Sequence, residues 1–144
     1  MIGARLAQAR DAQSIARIEV EAWQTTYAGA LPDDYLLGLS IERRRARWAR
    51  ELRPGHGVWV WQEDPQGIVG FGHCGRQRGT SPGYDGEIYM LYLLPDAQAR
   101  GVGRQLLLAM LEWLRNSGCR LANIATIGDR VRIGRVHQDA DDSR

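Results

Sequence analysis

Glu87-Ile88-Tyr89-Met90-Leu91-Tyr92-Leu93-Leu94-Pro95, followed by Gln98-Ala99-Arg100-Gly101-Val102-Gly103-Arg104, is the stretch on which the fold turns. Its first half is almost continuously apolar. That pattern belongs to a central strand covered on both faces rather than to a half-solvated one, and Pro95 ends it. Its second half holds two glycines, Gly101 and Gly103, at the start of a helical pattern from about Val102 to Asn116, with Leu106, Leu107, Met110, Leu111 and Leu114 on one side and Gly118 as the stop. Glycines at such a bend allow a tight backbone path. They also expose successive main-chain N–H groups at the positive end of a helix, which suits a diphosphate. Arg100 and Arg104 can add charge-assisted hydrogen bonds. A bend that uses glycine only for packing is the alternative reading.

Two other phosphate motifs do not fit. Gly101-Val102-Gly103-Arg104-Gln105-Leu106 lacks the third glycine of the dinucleotide fingerprint, and no acidic residue stands at the expected distance beyond it. A P-loop requires a lysine, and this chain has none, since all 19 basic residues are arginine. The same absence removes Schiff-base lysine chemistry.

Outward from this stretch the pattern is that of mixed α/β structure. A short strand over 3–8 precedes a helix capped by Asp11, with Ile15, Ile18, Val20, Ala22 and Trp23 at its less polar positions and Gly29 and Pro32 beyond its end near Tyr27. Pro32-Asp33-Asp34 begins a short helical turn. Ser40 caps an arginine-rich helix from Ile41 to about Leu52, which reads as a solvated face or as a patch for an anionic substrate or RNA. Gly57–Trp61 and Ile68–Cys74 form an antiparallel pair around the turn at 63–67. Leu121–Ile127 and the segment containing Val131, Ile133 and Val136 are two further strands, and His137–Arg144 is a polar tail.

The chain has 144 residues, 44% hydrophobic and 25% charged, with a net charge of +2. These proportions suit one globular domain over 1–144. The charge is too small to indicate nucleic-acid binding. No apolar run approaches the roughly 20 residues of a membrane span. Met1–Leu6 runs into polar residues without a secretory h-region, so a cytoplasmic protein is expected. Cys74 and Cys119 have no CxxC spacing, and His56, His73 and His137 show no HExxH or triad pattern. No metal site is therefore expected.

Gln98-Ala99-Arg100-Gly101-Val102-Gly103 resembles the Gln/Arg-x-x-Gly-x-Gly/Ala signature of the GNAT superfamily of N-acetyltransferases. The strand ending in Leu94-Pro95 and the leucine-rich helix stand where that family has them. The likeness continues upstream through Ala22-Trp23-Gln24-Thr25-Thr26-Tyr27-Ala28-Gly29, Leu39-Ser40 and Trp48, and is strongest over 3–120. It implies a mixed, mainly antiparallel sheet flanked by helices, with acetyl-CoA as co-substrate and no metal. The diphosphate would lie on the amides of Gln98, Ala99, Arg100, Gly101, Val102, Gly103 and Arg104. The pantetheine arm would pair like a strand with Leu91, Tyr92 and Leu93, with an N–H near Leu91 at the acetyl oxygen.

Glu87 stands eleven positions before Gln98, where many family members place the glutamate base; a solvated strand-end carboxylate is the competing reading. Trp23, Tyr27 and Tyr84 are expected to border the groove for the acceptor, a small-molecule or peptide amine. Family members usually continue into a helix with a tyrosine that protonates the departing thiolate, yet no tyrosine follows Tyr92 and no phenylalanine follows Phe71. The C-terminal helix and hairpin are thus expected to be missing or replaced, with 128–144 a divergent tail. A second copy completing the sheet in a homodimer, protonation of the thiolate by water, or a catalytically weak acyl-CoA-binding or dimerisation module are the consequences that follow.

Overall fold

The computed structural model describes residues 1–26, 40–79, 83–124 and 133–135. Within them lie six strands, β1 (Ile2–Leu6), β2 (Val58–Glu63), β3 (Gly67–Arg76), β4 (Gly86–Leu93), β5 (Ala122–Ile124) and β6 (Ile133–Arg135), and three α-helices, α1 (Ala12–Thr26), α2 (Ile41–Glu51) and α3 (Val102–Asn116). All six strands form one sheet in sequence order. Strands β1 to β4 pair antiparallel, as the hairpin reading of 57–74 anticipates. The β4–β5 pair is parallel. A parallel neighbour needs a crossover connection, and α3 supplies it. The fold is therefore the mixed, mainly antiparallel sheet flanked by helices.

The sheet has two covered faces because its strands alternate. Val58 and Val60 of β2, Phe71 of β3 and Tyr92 of β4 join Ile15, Ala16 and Ile18 of α1 and Trp48 of α2 in one buried cluster. Cys74 and Ile88 turn the other way and pack with Met110, Leu111 and Leu114 of α3. Trp48 and Phe71 meet edge-on with centroids 5.4 Å apart, a favourable arrangement for two ring quadrupoles. Close approach of α3 to β3 depends on a missing side chain: a Cβ on Gly72 would lie 2.6 Å from Met110 Sδ.

Several boundaries differ from expectation for identifiable reasons. The first strand ends at Leu6 rather than residue 8, since a 3-10 turn, Ala9–Asp11, precedes α1. Asp11 does not cap α1 through its side chain. Its carboxylate turns back to accept from Gln8 N at 2.7 Å and from two Arg5 guanidinium nitrogens at 2.8 and 3.0 Å. Burial alone would raise the Asp11 carboxyl, but Arg5 and Gln8 outweigh it and hold the group below its ordinary value. Ser40 does cap α2, accepting from Arg43 N at 3.2 Å. Gly118, at φ +95°, follows the end of α3 as expected. Among the described residues, the last elements are the short antiparallel pair β5–β6. The turn at Pro32-Asp33-Asp34, Tyr27, and the tail beyond residue 135 lie outside the described residues.

Candidate functional site

The site is built on one edge of β4. Leu94 N donates to Val69 O at 2.9 Å, and the register sets Tyr92 opposite Phe71, Leu93 opposite Gly70, and Leu91 opposite Gly72. Hydrogen-bonded and non-bonded pairs alternate in an antiparallel ladder. The main-chain groups of Met90, Tyr92 and Leu94 therefore point at β3, while those of Leu91 and Leu93 point away from it. On that far side β5 pairs only with Gly86, Glu87 and Ile88. Among the described residues, no strand pairs with the far edge of β4 beyond Ile88, and the N–H groups of Leu91 and Leu93 have no ladder partner there.

That edge runs into the loop before α3. A 3-10 turn, Pro95–Ala97, starts that loop, and the Gln98 side chain reaches back to donate to Leu93 O at 3.2 Å. Ala99 and Gly101 adopt left-handed conformations at φ 61° and 83°. At Gly101 a left-handed residue is required to enter the helix, and nothing lies within 4 Å of where its Cβ would be. Gln98 N donates to Pro95 O and Gln105 N to Gly101 O. Between them, no side chain caps α3. Its first-turn N–H groups, on Val102, Gly103 and Arg104, have no intrahelical partner by the geometry of any helix start. Among the described residues, the loop's internal bonds run through Ala97, Gln98 and Arg100, and no side chain is bonded to the N–H groups that open α3.

Arg100 serves this loop differently from expectation. Its Nε donates to Asp96 O at 2.9 Å, and its two terminal nitrogens donate to the two Glu63 oxygens at 2.8 Å each. Asp96 and Glu63 take three of the five guanidinium donors, which leaves two terminal N–H groups and the main-chain N–H of Arg100 for an anion. The Arg104 side chain is exposed on the first turn of α3.

Glu87 lies at the other end of β4. It is 8% exposed, and Oε1 accepts from Arg78 N at 3.0 Å. It is a buried, held carboxylate and not a solvated strand end. Two residues on, the register slips: His73 pairs with Met90 and Cys74 with Ile88, so Tyr89 is an extra residue in β4. Such bulges re-aim side chains. Here the Tyr89 hydroxyl donates to Arg76 O, its ring packs edge-on with His73 at 4.9 Å, and the Arg78 guanidinium sits 3.4 Å from its ring centre. Burial brings the His73 imidazole down to about 4, so it is neutral near pH 7. A cavity of about 370 Å³ opens beside Tyr89 and His73.

Of the residues expected at the acceptor groove, Trp23 is half-buried on α1 with the Arg44 guanidinium 5.7 Å from its ring centre. Tyr84 is half-buried, three residues before Glu87. Asp85, between them, anchors the end of α3 to β4 by accepting from Arg120 N and Leu121 N at 3.0 Å. Sequence reasoning missed Glu19. This buried carboxylate accepts from Trp48 Nε1 at 3.0 Å and pairs with Arg44 at 3.1 Å, joining α1 to α2. The signal was present, because Glu19 follows Ile15 by four positions on the apolar face. Arg78 and Tyr89 gave no comparable signal.

The model of the acetyltransferase (GNAT) family matches residues 12–134. The uncharacterized N-acetyltransferase YuaI of Bacillus subtilis (strain 168) is 38% identical over 119 residues, which are 82% of this chain and 67% of that protein. The chain belongs to the GNAT family. This GNAT chain is an acyltransferase by that membership. Solved structures with the same fold include the PaiA N-acetyltransferase of Thermoplasma acidophilum in complex with coenzyme A, at TM-score 0.68 and 18% identity over 86% of this chain and 78% of that one. YncA of Salmonella typhimurium with acetyl-CoA aligns at TM-score 0.61 and 22% identity, over 86% of this chain and 69% of that one. An aminoglycoside N-acetyltransferase in complex with CoA aligns at TM-score 0.64 and 19% identity, over 88% and 76% of the two chains. Among the described residues, no helix is long and apolar enough to cross a membrane, and no three His, Cys, Asp or Glu groups cluster to hold a metal.

Proposed function

We propose that this GNAT chain transfers the acetyl group of acetyl-CoA to a primary amine, with Glu87 accepting the ammonium proton directly or through one water. The observation that carries the reading is the open edge of β4 running into an uncapped helix start. An extended chain of amides can pair with the Leu91 and Leu93 N–H groups as a strand would. A diphosphate suits the main-chain N–H groups from Ala99 to Arg104, where the helix dipole adds attraction. The donor set is chiefly main-chain amide, which fits an anionic, amide-bearing carrier.

Acetyl-CoA supplies an activated thioester: the amine nitrogen bonds to the carbonyl carbon, the carbon–sulfur bond breaks, and sulfur leaves as a thiolate. The chain's part is to hold and to move protons. The Leu91 N–H is set to stabilise charge on the acetyl oxygen as the amine adds. Glu87 is fixed at Oε1 by Arg78 N, which leaves Oε2 to receive a proton. No side chain is assigned as acid for the thiolate, which water can protonate.

Glu87→Gln tests the reading. Acetyl transfer is expected to fall by roughly 10²- to 10⁴-fold, the range for loss of a general base, with CoA binding by calorimetry retained. An unaltered rate and pH profile removes Glu87 from the mechanism. A second reading, a CoA-binding or dimerisation module with little turnover, is favoured by one feature, the lack of any tyrosine after Tyr92. CoA binding without thiol release across a panel of amines would establish it.

A further inference from the structure

We propose, resting on acetyl transfer at Glu87, that the amine this chain acetylates is carried by an acidic peptide segment, which lies along a row of arginines leading from α2 to Glu87. Helix α2 and the residue after Leu52 hold more arginine than their local carboxylates neutralise. Arg44 is taken by Glu19 and Arg45 by Glu42. Among the described residues, Arg47, Arg50 and Arg53 form no ion pair. All three are exposed and surround an open depression of about 440 Å³ together with Glu51.

That depression shares a lining residue with the cavity beside Tyr89. Glu51 also borders the cavity beside Tyr89, whose rim carries Arg76 and Arg78. Arg78 in turn holds Glu87 through its main-chain N–H. Five guanidinium groups against one carboxylate thus run from the α2 surface to the proposed base. Two histidines, His56 and His73, line this cavity, and His73 is neutral near pH 7; Arg76 and Arg78 outnumber the one carboxylate in the same lining, Glu51, and set the sign of the field.

A guanidinium offers a planar fork that fits a carboxylate with two parallel hydrogen bonds. One exposed pair contributes little, but a row of like charges focuses the field and adds over several acidic residues. An RNA strand would need open aromatic faces for stacking. The Tyr89 ring is covered by Arg78 and flanked by His73, Trp48 of α2 is buried, and Trp113, half-buried on the cavity wall, is one ring where a strand would stack on several. An acidic peptide is therefore the better match to this surface.

The test uses two C-terminally labelled peptides with free α-amines, one rich in glutamate and its glutamine counterpart, and a labelled oligouridylate. By fluorescence anisotropy at low salt the full chain is expected to bind the glutamate peptide at least about tenfold more tightly than the other two, with the margin shrinking as salt rises. In transfer assays the same peptide should show a lower KM. In the R47Q/R50Q/R53Q variant the acidic-to-neutral ratio should fall to near one in both assays. These arginines are exposed, and circular dichroism checks that the variant remains folded. Equal binding of the two peptides, stronger binding of the oligouridylate, or a preference that survives the triple substitution overturns the proposal, whatever the transfer assay gives. If the glutamate peptide binds selectively but no acceptor is acetylated, acetyl transfer at Glu87 is the reading that fails and the acidic docking row stands.

Discussion

Glu63, the last residue of β2, and Arg100, in the loop that opens α3, face each other through two parallel hydrogen bonds of 2.8 Å. The pair ties the β2–β3 hairpin to the loop whose amides are proposed to hold the diphosphate. Arg100 thereby fixes the path of the loop backbone. Removing its partner should loosen the loop without touching the amides themselves. Glu63→Gln is expected to weaken CoA binding at neutral pH by at most about fivefold, the effect of one exposed pair. Calorimetry against CoA checks this. A loss of a hundredfold or more would mean that Glu63 does more than position the loop.

Glu19 joins α1 and α2 inside the protein, and its two partners differ in what they require. Trp48 needs an acceptor, whereas Arg44 needs a charge. Glu19→Ala leaves both without one and is expected to cost about 3–5 kcal/mol, the usual result of breaking a buried pair. Glu19→Gln keeps an acceptor for the indole N–H and should cost clearly less. Urea unfolding of the two variants measures the difference; equal costs would show that the charge alone matters.

His73 makes stability depend on pH in a defined window. Its imidazole titrates at about 4 in the folded chain against 6.5 when unperturbed, so the unfolded state takes up the proton first as pH falls. Stability is fully present above about pH 6.5, declines through that interval, and stops declining below about 4, for a total on the order of 3 kcal/mol. Asp11 and Asp85 are both held below their ordinary value of 3.8 and titrate lower still. His73→Phe keeps an aromatic ring between Trp48 and Tyr89 and removes the proton. Its urea midpoint should change less between pH 7 and 4.5 than that of the unaltered chain.

Gly72 and Met110 share one space. Gly72→Ala puts a methyl 2.5 Å from Met110 Cε, and Met110 is fully buried. Overpacking of this kind costs about 1–3 kcal/mol. Met110→Ala opens a void of its own, yet combining the two lets the new methyl occupy part of it. The double variant should lose less stability than the sum of the singles by about 0.5 kcal/mol or more, read from chemical denaturation. Strict additivity would place the two side chains out of contact.

Much of the fold could be read in the chain because its strongest signals are local. The apolar run from Ile88 to Leu94, the leucine spacing of α3, Ser40 ahead of α2 and the turn before Gly67 each act within a few residues. The backbone bend from Gln98 to Arg104 was legible in the same way, since glycine and proline positions constrain the backbone wherever they occur; Glu87 was singled out by its spacing from that bend, through the resemblance. Asp11 misled for a physical reason: a carboxylate ahead of a helix can face forward or backward, and Arg5, brought near by β1, decided the direction.

Sequence alone thus determined the order of elements, which faces of β4 and α3 are apolar, and where the bend before α3 must fall. Tertiary structure decided the partners of charged and aromatic groups. Arg100 to Glu63 spans 37 positions and Trp48 to Glu19 spans 29. The bulge that turns Tyr89 toward His73 depends on the pairing of β3 with β4. Periodicity encodes which side of an element is buried, because burial repeats with the geometry of the backbone. A hydrogen bond or ion pair between distant residues leaves no such repeat, and is set only when the packed sheet brings the two groups within reach.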